Sequence, residues 1–255
     1  MVKGLPVIHE QSSTCEDCMT GKHQRENFLT STSRAKEHIE IVHTNLCGPM
    51  PTQSIRGSFY FLAFIDDFRR KVWIYFLINK SETFFRFKEL KALTEKKFGM
   101  FIKMLRSDGG GEYDSNDFSY FYKHHGIQRQ FTTRYTPQQN GVAERKNRTI
   151  MNMARSMLSH KNLSNEYWAK AVGCSVYLLN RSPIVTIQEK ILEEAWSGTK
   201  TSVSHLRIFG FVSFAHIANE LRKKLDKKSE PYIFTRYVVN STRHTIYIII
   251  SPRSL

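Results

Sequence analysis

The sequence is poor in several things that would place it in other classes. Four cysteines in 255 residues make no disulfide scaffold and suit a reducing compartment, cytosol or nucleus. No apolar run is long enough to span a bilayer; the longest, Phe59 to Ile65, stops at Asp66 and Asp67. Met1 to Glu10 contains a proline and little hydrophobic length, so no signal-peptide pattern is present. Acidic residues are scarce: 23 stand against 38 lysines and arginines, a formal charge of +15. That balance points to a polyanionic partner, most simply nucleic acid, with a basic assembly subunit as the plainer alternative.

What is present is ample core material, 40% hydrophobic and 13% aromatic. The length fits one large domain, or a medium domain with small attachments. Residues 1–38 are polar and read as loop and linker around a CxxC pair, Cys15 and Cys18. Strand-like runs follow at Ile39–Thr44, Ser58–Ile65 and Lys71–Ile78, with Asp66–Arg70 as a polar hairpin tip. Ser81 reads as the cap of a helix carrying Phe84, Phe85, Phe87, Leu90, Leu93 and Phe98, stopped by Gly99. Phe101–Leu105 is a short buried strand ending at Asp108 and a glycine run. Asp114 or Ser115 caps a helix through His125, and Ile127–Phe131 is a fifth strand. Helices then fit Val142–Lys161 and Asn165–Asn180. After Gly198 the texture turns to β runs at Leu206–Ala215, Tyr232–Val239 and Thr245–Ile250. The order is mixed α/β followed by a small β module.

At 100° per residue from Glu144, Val142, Ala143, Ile150, Met153, Ala154 and Met157 fall between about 160° and 280°, a buried stripe. Arg145, Arg148, Asn152 and Arg155 fall within about 100° of Glu144. One carboxylate thus shares a wet face with three arginines. This is either an ordinary solvated face with intrahelical pairs, or an acid beside phosphate-binding cations.

Longer motifs decide between these. "HTNLCGPM" (His43–Met50), "FIDDFRRKVWIYFL" (Phe64–Leu77), "LRSDGGGEY" (Leu105–Tyr113), "TPQQNGVAERKNRTI" (Thr136–Ile150), "YWAKAVGCSVYLLNRSP" (Tyr167–Pro183) and "EEAWSGTKTSVSHLRIFG" (Glu193–Gly210) together resemble the integrase of Copia-type LTR retrotransposons. The resemblance covers essentially the whole chain. It implies a ribonuclease-H-like core, a mixed five-stranded sheet with flanking helices, over 36–200. A truncated zinc-binding remnant precedes it at 1–35, and an SH3-like β module follows at 204–252.

The resemblance also implies three carboxylates for paired Mg²⁺ or Mn²⁺. Asp108 and Glu144 match, with the family's 35 intervening residues. The third position is Asn45, where the family has aspartate. The resemblance implies that the first-strand aspartate bridges the two metals. Strand transfer needs two cations clamping the attacking and leaving oxygens. Asn45 keeps a carbonyl oxygen but loses the charge and the bridging capacity. Little or no strand transfer is expected. Asp66 and Asp67, at the hairpin tip, are poor substitutes. Gly109 stands where the family has asparagine and loosens the loop beside Asp108.

Cys15 and Cys18 have the spacing of half a zinc site. The family's histidine pair lies upstream, and only His9 precedes Cys15 here, so Zn²⁺ is expected only with histidines beyond this chain. His23 reads as an exposed histidine; Cys47 and Cys174 read as small core residues. DNA contacts are expected from Arg134, Gln138, Gln139, Asn140, Arg145, Lys146, Arg148 and Arg155. The basic segment Arg222, Lys223, Lys224, Lys227 and Lys228 binds nucleic acid or is a solvated turn. Thr235 and Arg236 replace the family's Val-Gly. The expected partners are DNA and further copies of the chain, with no membrane, and the expected location is the nucleus. The rival reading is a catalytically dead binding or assembly module derived from an integrase.

Overall fold

The computed structural model describes residues 34–131, 141–182, 192–198, 202–237 and 249–250. The chain divides after Thr32, and all described residues belong to the second unit. No described helix is long and apolar enough to cross a membrane.

Three strands open the fold: β1 (Ile41–Cys47), β2 (Tyr60–Asp66) and β3 (Val72–Leu77). They form an antiparallel meander. Helix α1 (Thr83–Phe98) then carries the chain to β4 (Met104–Ser107), parallel to β1 on its other side. Helix α2 (Asn116–His125) leads to β5 (Gln128–Phe131), parallel to β4. The sheet order is β3-β2-β1-β4-β5, so β1 lies at the centre. This is the mixed five-stranded sheet expected.

Layers of helices cover both faces. On one, Phe61, Ile65 and Val72 pack against α3 (Gly141–His160) and α4 (Trp168–Leu179). On the other, Val42, Leu62, Phe64 and Leu105 pack against α1 and α2. Strand alternation supplies both sets, because successive side chains point to opposite faces. A short α5 (Leu192–Ser197) places Trp196 against Trp73 and Phe98, and its Glu193 pairs with Lys71. Past α4, the Asn180 amide bonds both the N–H and the C=O of Val72, so it mimics a strand partner at the β3 edge.

Several element ends differ from the sequence reading. β1 begins at Ile41, because Ile39 takes a positive φ of 55° and donates its N–H to Asp66. Ser81 does not cap α1. A 3₁₀ turn precedes the helix, and the Glu82 carboxylate accepts the Ile78 and Asn79 amides. Phe85 and Leu93 face solvent rather than the core, and so does Phe101. Ser115 is the cap of α2, its hydroxyl accepting the Phe118 amide. Asn165–Tyr167 forms a separate 3₁₀ turn before α4.

The hairpin tip is the largest correction. Asp66 and Asp67 are buried, not exposed. Asp66 accepts the Ile39 and Arg69 amides. Asp67 accepts the Ala35 amide and the His43 imidazole. Burial pushes the Asp66 carboxyl up to about 6. Burial acts the same way on Asp67, but the His43 and Ala35 hydrogen bonds and the Arg70 charge outweigh it and hold that carboxyl well below the usual range. Two carboxylates read as a solvated tip are thus the ties that fix the start of β1.

In the C-terminal β runs the ends read at 238–239 and 245–248 lie outside the described residues. β6 (Val212–His216), β7 (Ser229–Phe234) and β8 (Ile249–Ile250) form an antiparallel sheet in that order. Phe209, Phe234 and Tyr237 bury into the same core as α3 and α4. The Tyr237 ring stacks on Tyr177 at 4.2 Å, and its hydroxyl donates to the Arg207 carbonyl and accepts the Arg207 amide.

Phe87 is fully buried, whereas Phe85 is 60% exposed. Replacing Phe87 with alanine should destabilise the chain by about 3–5 kcal/mol. Phe85→Ala should cost under about 0.5 kcal/mol. Chemical denaturation of the two variants checks both; equal losses would refute this packing.

Candidate active site

Parallel pairing of β1 with β4 aligns Val42 with Leu105 and His43 with Arg106. Asn45 stands two residues beyond His43 in β1, and Asp108 directly follows the end of β4, so the register carried past its last pair would set these two positions opposite each other. Asn45 lies opposite Ala63 of β2, a small neighbour. Cross-strand partners share a face. His43, Asn45 and Cys47 therefore share the face of Phe61 and Ile65, the one covered by α3.

Glu144 lies in the first turn of α3 and is half-buried. The buried stripe of that helix is Ala143, Asn147, Ile150, Ala154 and Leu158. It is rotated by about 60° toward Glu144 from the stripe that periodicity implied. Val142, Met153 and Met157 are only half-buried. The rotation sets Glu144 at the margin of the core instead of on the open face, and Asp108 feels its charge. Burial raises the Asp108 carboxyl above the ordinary range, and the negative charges of Glu112 and Glu144 add to this against the opposing Gly110 amide. Asp108 Oδ1 is buried without a hydrogen-bond partner. Acidic groups held together in this way lack a counter-charge.

Two residues here escaped the sequence reading. Glu112 folds back over the glycine loop; a Cβ on Gly110 would lie 2.7 Å from its carboxylate. Its only sequence signal was its place in the "SDGGGEY" string. Asn147 is one turn beyond Glu144, 7% exposed, and neither amide atom has a partner. An asparagine on the apolar stripe of a helix was the signal available, since a buried amide without partners is costly. Among the described residues no three His, Cys, Asp or Glu side chains are placed to share one ion.

Of the candidate DNA contacts, Arg145, Arg148 and Arg155 are exposed along α3. Lys146 is half-buried, and burial together with the nearby Arg70 lowers its ammonium below the usual range. Lys223, Lys224, Lys227 and Lys228 are exposed around a turn in which Asp226 accepts the Lys223 amide, with Arg222 partly covered. Arg134, Gln138, Gln139, Asn140, Cys15, Cys18, His9 and His23 lie outside the described residues. Cys174 is buried, its thiol pushed up to about 12 by burial, and Cys47 packs against the same core.

Comparisons with known proteins agree with this geometry. The integrase core domain family matches residues 36–137. The retrovirus-related Pol polyprotein from transposon TNT 1-94 of Nicotiana tabacum is 42% identical over 245 residues, covering 92% of this chain and 18% of that polyprotein. The Pol polyprotein from transposon RE2 of Arabidopsis thaliana is 30% identical over 242 residues, covering 94% of this chain and 16% of that one. The chain thus spans less than a fifth of the polyproteins it matches. A chain of a simian T-cell lymphotropic virus intasome shares the fold with a TM-score of 0.56 at 14% identity, covering 92% of this chain and 85% of that chain. Sheet order, helix layers and relatives converge: the chain belongs to the integrase region of Copia-type retrotransposon Pol polyproteins, with the ribonuclease-H-like integrase core fold.

Proposed function

We propose that this chain binds DNA as the integration module of its polyprotein and that its strand-transfer chemistry is impaired at Asn45. The observation that carries the reading is the charge of Glu144 acting on Asp108 from α3, with Asp108 at the end of β4, the strand that pairs with the β1 strand carrying Asn45. Asp108, Glu144 and the Asn45 carbonyl are hard oxygen donors of the kind Mg²⁺ or Mn²⁺ takes. Bound cations would neutralise charge on the attacking and leaving oxygens of a phosphodiester during end processing and joining. Two negative donors and one neutral donor fit a single weakly held ion better than a bridged pair. Asp108 holds the central position, and its unpartnered Oδ1 faces the need for a cation. The Asn147 amide, one turn past Glu144, can donate to a phosphate oxygen or orient the Asn45 carbonyl.

Arg145, Lys146, Arg148 and Arg155 would fix the DNA backbone beside these donors. Arg134, Gln138, Gln139 and Asn140 would extend the contact from the preceding segment. The β6–β8 sheet would be the SH3-like module that adds basic surface. Cys15 and Cys18 would give half of a Zn²⁺ site. The intasome chain that shares this fold belongs to an assembly, and self-association on DNA in the nucleus is the corresponding reading here. A second reading, a binding or assembly module with no chemistry at all, is favoured by the same Asn45.

The chain should bind duplex DNA with strong salt dependence and give no joined product with Mg²⁺ or Mn²⁺ in a strand-transfer assay. Asn45→Asp should raise Mn²⁺ affinity by at least about tenfold, about 1.4 kcal/mol, measured by titration calorimetry. Robust joining by the unaltered chain would overturn the impairment; unchanged affinity in the variant would overturn the ligand assignment.

A second expectation concerns the metal-free protein. The folded-state pKa of Asp108 lies above its ordinary value. Its ionised form is therefore penalised by folding, and stability falls as pH rises through that interval. Asp108→Asn in the presence of a chelator should raise the thermal unfolding midpoint at pH 7 and lose that advantage toward pH 3. A lower midpoint at pH 7 would contradict the crowding of charge described above.

A further inference from the structure

We propose that the apolar groove between the C-terminal half of α3, the end of α4 and the segment 206–209 is a docking site for a protein partner, an acidic peptide segment that carries bulky aliphatic side chains. At 1.5 Å per residue, His160 in this groove lies about 24 Å along α3 from Glu144. The site is therefore separate from the acidic centre and does not depend on the DNA-binding reading.

The groove has a volume of about 620 Å³ and opens to solvent, a size that admits several side chains of a ligand. Met157 and His160 of α3, Leu178 of α4, and Leu206, Ile208 and Phe209 line it. Phe209 is anchored in the core shared with α3 and α4, while Ile208 beside it is 66% exposed. The wall formed by this segment is held in place by the fold. Gly210 takes a positive φ of 76°, a Cβ there would collide with the Lys161 side chain, and its amide donates to the Phe234 carbonyl. The chain then turns, the Phe211 amide donating to the Ile208 carbonyl, and enters β6 with Phe211, Val212 and Phe214 exposed. A run of large apolar residues left in water beside an apolar groove marks an interaction surface.

The charge of the walls states what kind of partner fits. The three stretches that form them, 145–165, 167–182 and 202–218, hold eight lysines and arginines and no aspartate or glutamate. Lys161 crosses Gly210, the neighbour of Phe209. Arg181 follows Leu178 by one turn, its guanidinium 3.6 Å over the Tyr177 ring. Arg207 donates to the carbonyls of Ser204 and Leu206. Both arginines thus rest on neutral partners. Burial, together with the charges of Arg181 and Arg207, lowers the His205 imidazole below its usual range, so the two guanidinium groups stand within electrostatic reach of one ring.

The lining favours a protein segment over a nucleic acid. Met157, Leu178, Leu206 and Ile208 offer no donor to a phosphate and no ring face to a base. An aliphatic side chain inserted among them removes apolar area from water on both partners. Carboxylates flanking that side chain would meet Lys161, Arg181 and Arg207, a complementarity that orients the segment and speeds its approach.

The test uses the full chain and three fluorescein-labelled peptides of equal length, one mixing leucine with glutamate, one leucine with lysine, and one alanine with glutamate. In anisotropy titrations the leucine–glutamate peptide should bind at least about tenfold more tightly than either of the others. Ile208→Ser, at an exposed position that the fold does not need, should weaken that peptide about tenfold and leave binding of duplex DNA unchanged. The unaltered chain with labelled methionine and isoleucine methyl groups gives a readout that needs no variant: the peptide should shift the Met157 and Ile208 resonances. Absence of binding, equal binding of the leucine–lysine peptide, or unchanged affinity in Ile208→Ser would overturn the docking site. Displacement of the peptide by duplex DNA, with the same two methyl resonances shifted by the duplex, would assign the groove to nucleic acid and overturn it as well.

Discussion

Parallel pairing of β1 with β4 is the constraint on which the rest of the molecule depends. β1 is the only strand of the described sheet flanked by an antiparallel neighbour on one side and a parallel one on the other. Its register decides which β1 residue stands beside Asp108, and its alternation decides that His43, Asn45 and Cys47 face α3. A shift of one residue would turn all three to the opposite face. The buried carboxylates of Asp66 and Asp67 guard against such a shift. They grip the backbone at Ala35 and Ile39 just before the strand and the His43 side chain within it.

The site has a sharp electrostatic division. Glu112 and Glu144 are close enough to Asp108 to raise the energy of its ionised form. Two residues back along the same strands the charges are mixed, with Arg70 and Arg106 near the Asp67–His43 pair. In the proposed reading, Asn45 would be a neutral donor in the acidic half.

Much of the fold was legible because strand alternation and helix periodicity are local. The five strands of the larger sheet and α1 to α4 were placed to within a few residues, α5 was not read, and Ser115 marked the start of α2 as its chemistry requires. The errors share a physical origin. Asp66, Asp67 and Asn147 are polar residues inside the molecule, and a sequence reads polar residues as exposed. Phe85, Leu93 and Phe101 are apolar residues on the outside, for the same reason reversed. The rotation of the α3 stripe toward Glu144 could not be read from that helix alone, because it reflects which neighbours the helix meets.

By itself the sequence determined the family, through long ordered motifs. It also determined the surplus of positive charge. Only the tertiary structure decided that Lys146 feels the charge of Arg70, since the two are far apart along the chain and meet because α3 packs across β1 and β2. Only the structure, too, turned Asp66 and Asp67 from a solvated tip into buried ties, since their backbone partners at Ala35 and Ile39 reach them through folding and not through local sequence.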